Sequence, residues 1–170
     1  MLEIGDRIVH PRYGAGVVTG FRTMTYSGTE RRYYCIELVA DRGVVMIPED
    51  TIDETEMRTE ITGLDMIRTV MERAPVELDG DYRVRQHRIR EKLRSGEPRQ
   101  IIQALRDLCY RERVKKLTPS EEQMKARALS LLADELALRQ GLDVDTARLR
   151  LNAIIQSTMQ THIADTADSA

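Results

Sequence analysis

The chain has no tryptophan, one phenylalanine and six tyrosines in 170 residues, so aromatics make up only 4%. A large core cannot be built on rings here and must close through Leu, Ile, Val and Ala. There are two cysteines, Cys35 and Cys109, far apart in sequence. They form neither a CxxC pair nor a metal spacing, and free thiols in a reducing cytoplasm are the plain expectation. The three histidines, His10, His87 and His162, have no Cys or His at ligand spacing. HExxH, GxSxG and a glycine-rich phosphate loop are all absent. We therefore expect no catalytic residue, metal or cofactor. No run approaches the ~20 apolar residues of a membrane helix. Met1-Leu2-Glu3-Ile4-Gly5-Asp6 lacks the basic stretch and apolar run of a signal peptide. A non-enzymatic cytoplasmic protein with no membrane contact, monomeric when free, is expected.

What the chain does have is segregated charge. The net charge is −2. Residues 1–48 balance at +1, residues 49–81 at −8, residues 82–116 at +8 and residues 117–170 at −3. A block this basic over so short a segment suits the neutralisation of phosphates. The plainer alternative is a solvated helix face paired with the acidic block. The acidic run Glu49–Glu56 lacks the alternating Asp/Asn and Gly of a calcium loop and reads as a solvated connector.

The first third reads as β structure. Ile8-Val9, Val17-Val18, Gly20–Tyr26, Arg32–Val39 and Val44–Pro48 are five short strand candidates, separated by Gly- and Pro-containing turns. Gly14-Ala15-Gly16 opens onto a strand and reads as a turn. Five strands in ~50 residues argue for a small curled sheet or barrel of the SH3 or Tudor type. From about residue 60 the apolar spacing becomes helical. Leu64, Ile67, Val70 and Met71 form one element, stopped by Pro75. Tyr82, Ile89 and Leu93 share a face of a second, ended at Ser95-Gly96. Pro98 opens a third with Ile101, Leu105, Leu108 and Cys109. Thr118-Pro119-Ser120-Glu121 is a capping box before a long helix that Gly141 closes. Ala147, Leu151, Ile154, Ile155 and Met159 mark the last, and the tail from Ala164 is expected to fray. The expected class is α+β: a β module over 1–56, about five helices over 57–160, and a flexible tail over 161–170.

Ile4-Gly5-Asp6-Arg7-Ile8-Val9-His10-Pro11-Arg12-Tyr13-Gly14-Ala15-Gly16-Val17-Val18 resembles the start of the CarD/CdnL family of bacterial transcription regulators. The same module occurs in transcription-repair coupling factor. Val45–Pro48, Glu91–Gly96, Arg106-Asp107-Leu108 and the 118–139 segment extend the resemblance over roughly residues 1–157. The later landmarks favour the CarD/CdnL type, because coupling factor continues into a helicase motor. The resemblance implies that the N-terminal Tudor-like module binds the RNA polymerase β subunit. It implies that the helical domain contacts promoter DNA at the upstream edge of the melted bubble. An aromatic wedge near the start of a basic helix would hold the minor groove open and stabilise the open complex. By position the wedge is Tyr82, where the family commonly has Trp. The polymerase-facing residues are Arg22, Met24, Thr25, Met46 and Pro48, with Met24 and Met46 standing where Arg is frequent.

The residues themselves suit those roles. An aromatic ring at a helix start beside cations can insert at an unstacked base step. Arg83, Arg85, His87, Arg88 and Arg90 can meet phosphates without reading sequence. The strand 21–26 is the candidate edge for strand addition. In phase with Ile89 and Leu93, however, Tyr82 also reads as an anchor of its own bundle. Two other functions remain open on the residues alone. One is a protein-only adaptor whose Arg block pairs with acidic protein surface, perhaps residues 49–81. The other is a small nuclease or nucleotide-modifying enzyme, which would need clustered carboxylates or histidines near the basic block, where His87 is the only histidine.

Overall fold

A computed structural model describes residues 1–59 and 61–168. A curled antiparallel sheet comes first, in the order β1 (Arg7–His10), β2 (Gly14–Tyr26), β3 (Thr29–Leu38) and β4 (Val44–Pro48). Five helices follow: α1 (Leu64–Met71), α2 (Tyr82–Arg94), α3 (Pro98–Val114), α4 (Pro119–Gln140) and α5 (Val144–Asp168).

The sheet has four strands, not five. Val17-Val18 and Gly20–Tyr26 belong to one 13-residue strand. Its register slips between Val18 and Gly20, so Val18 faces Ile36 and Gly20 faces Cys35. Thr19 is the extra residue. A bulge bends a strand and increases its twist without ending it. Glycine beside it therefore marks a kink rather than a turn. Val18, Tyr34, Ile36 and Ile47 point inward and pack with Ile8. The Phe21 and Tyr34 rings meet at 5.3 Å. β1 pairs only with residues 14–17 of β2, and β4 only with residues 33–37 of β3. The far half of the β2–β3 hairpin thus projects as a two-stranded ribbon.

The acidic run after β4 is not a loose connector. Glu49–Thr55 forms a 3₁₀ helix. Asp50 pairs with Arg31 at 2.9 Å, Glu49 lies 3.8 Å from Arg32, and the Tyr34 hydroxyl donates to Glu49 at 3.2 Å. Its first two acids are matched to β3 cations, whose own strand brings them within reach.

The helices start and stop where local chemistry dictates. Pro98 and Pro119 occupy the first positions of α3 and α4, where a missing N–H costs nothing. Thr118 and Glu121 form the reciprocal capping box, and Gly141 ends α4 in the left-handed region. The main core joins Ile67, Val70 and Met71 of α1 to Ile101, Ile102 and Leu105 of α3, Leu131 and Leu132 of α4, and Leu151, Ile154 and Met159 of α5. No aromatic residue is buried in it. α5 runs through Asp168, into the 161–170 segment read as a tail, because His162 is buried with its Nε2 2.8 Å from the Met71 carbonyl oxygen. Ser169 and Ala170 lie outside the described residues.

Sheet and bundle are joined closely. Arg58 exchanges backbone hydrogen bonds with Val9, continuing the sheet by one bridge. Its side chain donates to the Gly96 carbonyl at 3.1 Å and pairs with Glu135. Glu135 also accepts from the Thr62 N–H at 3.0 Å. The Arg127 guanidinium reaches the Arg12 carbonyl at 2.6 Å. Val9, Ala15 and Ile61 fill the seam with Val39 and Leu138.

Candidate nucleic-acid and protein interfaces

Helix α2 carries the basic block, and its geometry sorts that block into three groups. Residues 3 and 4 apart share a face of a helix. Ile89 points into the bundle, and Arg85 lies on the same side. Arg83, His87, Arg90 and Arg94 follow at i, i+4, i+7 and i+11 and form one outward stripe, all exposed. Arg88 lies on the other flank, exposed, 3.6 Å from Asp79. Arg94 lies outside the expected set, three turns from the start of the helix. The i+11 spacing from Arg83 is the signal that finds it. At the end of α3 and just past it, Arg113, Lys115 and Lys116 are exposed as well.

Arg85 was expected among the phosphate-facing cations, but the structure turns it inward. It is 4% exposed, and its Nε donates to Glu121 Oε1 at 2.5 Å. Its Nη1 donates to the carbonyls of Asp79 at 2.5 Å and Gly80 at 3.2 Å. Glu121 is fully buried and also lies 3.3 Å from Arg111 Nε. Burial alone would push the Glu121 carboxyl up. Hydrogen bonds from Thr118 and Arg85 outweigh it and hold the group below the usual carboxylate range. The pair stays ionised at neutral pH, so Arg85 braces α2 against α4 and the turn before it.

Tyr82 occupies the first position of α2. Its phase matches Ile89, yet it is 52% exposed. Asp81 caps the helix by accepting from the Arg83 N–H at 2.8 Å. Arg83 Nε donates to the Tyr82 hydroxyl at 3.0 Å, and its guanidinium lies 5.6 Å from the ring centroid. The ring is thus open to solvent, flanked by a cation, at the end of a helix whose free N–H groups attract anions.

The sheet presents a second surface. Cross-strand partners share a face. Arg22 pairs with Tyr33 and Tyr33 with Pro48, while Met46 pairs with Cys35 and Met24 with Arg31. Arg22, Met24, Met46 and Pro48 therefore lie together on the outer face, with Met24 and Met46 about 40% exposed. Thr25 pairs with Glu30 and points to the opposite face. The structure brings four of the five sheet residues together and separates the fifth. Beyond Val18, β2 pairs on one side only, leaving residues 20–26 as an edge. Among the described residues, no helix is long and apolar enough to cross a membrane.

Comparison with known proteins follows this division. Residues 2–60 match the family described as the CarD-like/TRCF RID domain, and residues 66–152 match the CarD C-terminal domain. A protein of Bacillus subtilis (strain 168) named "Putative transcription factor YdeB" is 28% identical over 144 residues, which cover 84% of this chain and 94% of that protein.

Proposed function

The chain belongs to the CarD family, and from that membership we propose that it is a non-enzymatic transcription regulator bridging RNA polymerase and promoter DNA. The outer sheet face and the free β2 edge grip the polymerase β subunit. Main-chain hydrogen bonds along residues 20–26 supply part of the affinity, and Met24 and Met46 bury apolar surface. Arg22 supplies the charge that the two methionines do not. Thr25, on the opposite face, serves through its backbone.

The helical domain holds DNA at the upstream fork of the bubble. The observation that carries this reading is the open position of Tyr82 at the head of a cationic stripe. Arg83, Arg90 and Arg94 neutralise phosphates along one strand, with His87 beside them as a hydrogen-bonding contact and Arg88 on the flank. The ring enters the minor groove at an unstacked step, which keeps the fork from closing. Tyrosine gives less stacking area than tryptophan but keeps a hydroxyl for a base edge or phosphate. A protein-only adaptor would pair its Arg block with the acidic segment 49–81. Among the described residues, Arg88 is the one cation of α2 that meets a side-chain carboxylate of that segment, at Asp79.

The test uses the full chain with polymerase and a forked promoter. We expect protection of the upstream fork and a lengthened open-complex lifetime. Aromatic stacking on a base is worth about 1–3 kcal/mol, so Tyr82→Ala should shorten that lifetime roughly 5- to 150-fold. Polymerase binding with no added protection of the fork leaves the adaptor as the function.

A further inference from the structure

The turn that carries Tyr82 has an apolar anchor only at its start, where Leu78 packs on the cluster of Ile89, Ala104 and Leu108. Gly80 has no side chain, and Gly80 and Asp81 are exposed. A ring 52% exposed at the end of such a turn would swing through many directions unless something else fixed its base. That something is a chain of polar contacts starting in the bundle. Thr118 and Glu121 lock each other in the α4 capping box, the Thr118 N–H donating to Glu121 Oε2 at 2.8 Å. Glu121 Oε1 takes Arg85 Nε, and Arg85 Nη1 takes the Asp79 and Gly80 carbonyls. Asp79 Oδ1 accepts from the Asp81 N–H at 3.0 Å, and Asp81 caps the helix at Tyr82.

We infer that Arg85 and Glu121 are positioning residues for Tyr82: through the turn 79–81 they aim the ring before DNA arrives. The inference rests on the wedge reading of Tyr82. A buried ion pair is seldom needed for stability, because apolar side chains of the same volume do as well or better. An apolar side chain at position 85 cannot donate to two carbonyls. Position, not stability, is what the arginine contributes. A pre-aimed ring loses less freedom on insertion, and that saving appears as a longer-lived open complex.

The absence of tryptophan gives a direct readout. Tyr82→Trp places a single indole at the site, and its time-resolved anisotropy in the free, full-length protein reports how tightly the turn is held. Arg85→Met removes the carbonyl contacts at similar volume. Glu121→Gln keeps acceptance from Thr118 but removes the charge facing Arg85. Arg85→Lys keeps the charge and reaches fewer acceptors. Each variant is first shown to melt cooperatively, and Arg85→Lys serves if Arg85→Met does not fold.

With Arg85 present, we expect the indole to tumble with the whole protein. Arg85→Met should add a fast local decay, with Arg85→Lys and Glu121→Gln in between. In the Tyr82 protein, Arg85→Met should reduce open-complex lifetime to the level of Tyr82→Ala. Added to Tyr82→Ala, it should cause no further loss, which is the non-additivity expected of residues acting through one another. An indole equally immobile in every folded variant overturns the inference. So does a lifetime loss that is the same with and without the ring. Should Tyr82→Ala leave the lifetime unchanged, the wedge reading fails, and anisotropy still decides whether Arg85 aims the side chain.

Discussion

Gly96→Ala probes whether the β1–β2 connection rests on the bundle with real energy. Gly96 follows α2 at φ +66°, and a Cβ there would lie 3.0 Å from both Cβ and Cγ of Pro11. Gly141, after α4, has nearly the same backbone, φ +65°, with nothing within 4 Å of the added atom. The left-handed conformation costs an L-residue roughly 1–2 kcal/mol, partly offset by about 0.4–1 kcal/mol of lost unfolded-state entropy. Gly141→Ala should therefore destabilise by about 1 kcal/mol. Gly96→Ala carries the same term and adds an overlap. The Pro11 ring is stiff, and the neighbouring Arg12 carbonyl is held by Arg127 at 2.6 Å. Overpacking of this kind costs about 1–3 kcal/mol. Urea unfolding of both variants measures the excess, and each kcal/mol should appear as roughly 2–4 °C in melting temperature. Equal losses for the two substitutions would refute the argument, showing that Pro11 does not press on Gly96 in solution.

Asp134 is buried, its Oδ1 makes no hydrogen bond, and burial pushes its carboxyl up to about 6. The folded protein thus holds this proton more tightly than the unfolded chain, so stability is lost as pH rises from about 4 through 6. Asp134→Asn should flatten that slope and gain up to about 3 kcal/mol at pH 7, read by urea midpoints across the pH range. Arg90→Ala should weaken DNA binding about equally on unrelated sequences and lower the slope of log affinity against log salt by roughly 1, measured by fluorescence titration. Arg31→Ala, which breaks an exposed pair with Asp50, should leave the urea midpoint almost unchanged, because solvent screens the pair.

Much of this architecture is legible in the sequence, because the signals are local. Thr118-Pro119 with Glu121, Pro98, and the glycines at 96 and 141 each satisfy or end a helix by contacts within four residues. The bulge at Thr19 was not legible. Gly20 reads equally as a turn or a kink, and only the partner strand decides. The inward turn of Arg85 was within reach, since it stands four residues before Ile89 on the same face. Charge density marks the basic block as a whole and does not distinguish its buried members, Arg85 and Arg106. The exposure of Tyr82 is beyond reach of the sequence, because its phase is that of the buried Ile89. The Arg58–Glu135 pair joins residues so distant in sequence that no window connects them.

That pair also bears on how the molecule comes apart. The boundary between the two matched families falls between residues 60 and 66, just past a residue whose main chain belongs to the sheet and whose side chain belongs to the bundle. Inheritance and thermodynamics divide the polypeptide differently. Because Arg58 ties the sheet to the bundle through both its main chain and its side chain, heat or urea should dissolve both at one midpoint. A pull on the sheet is then passed directly to the end of α2, through the Gly96 carbonyl that Arg58 holds.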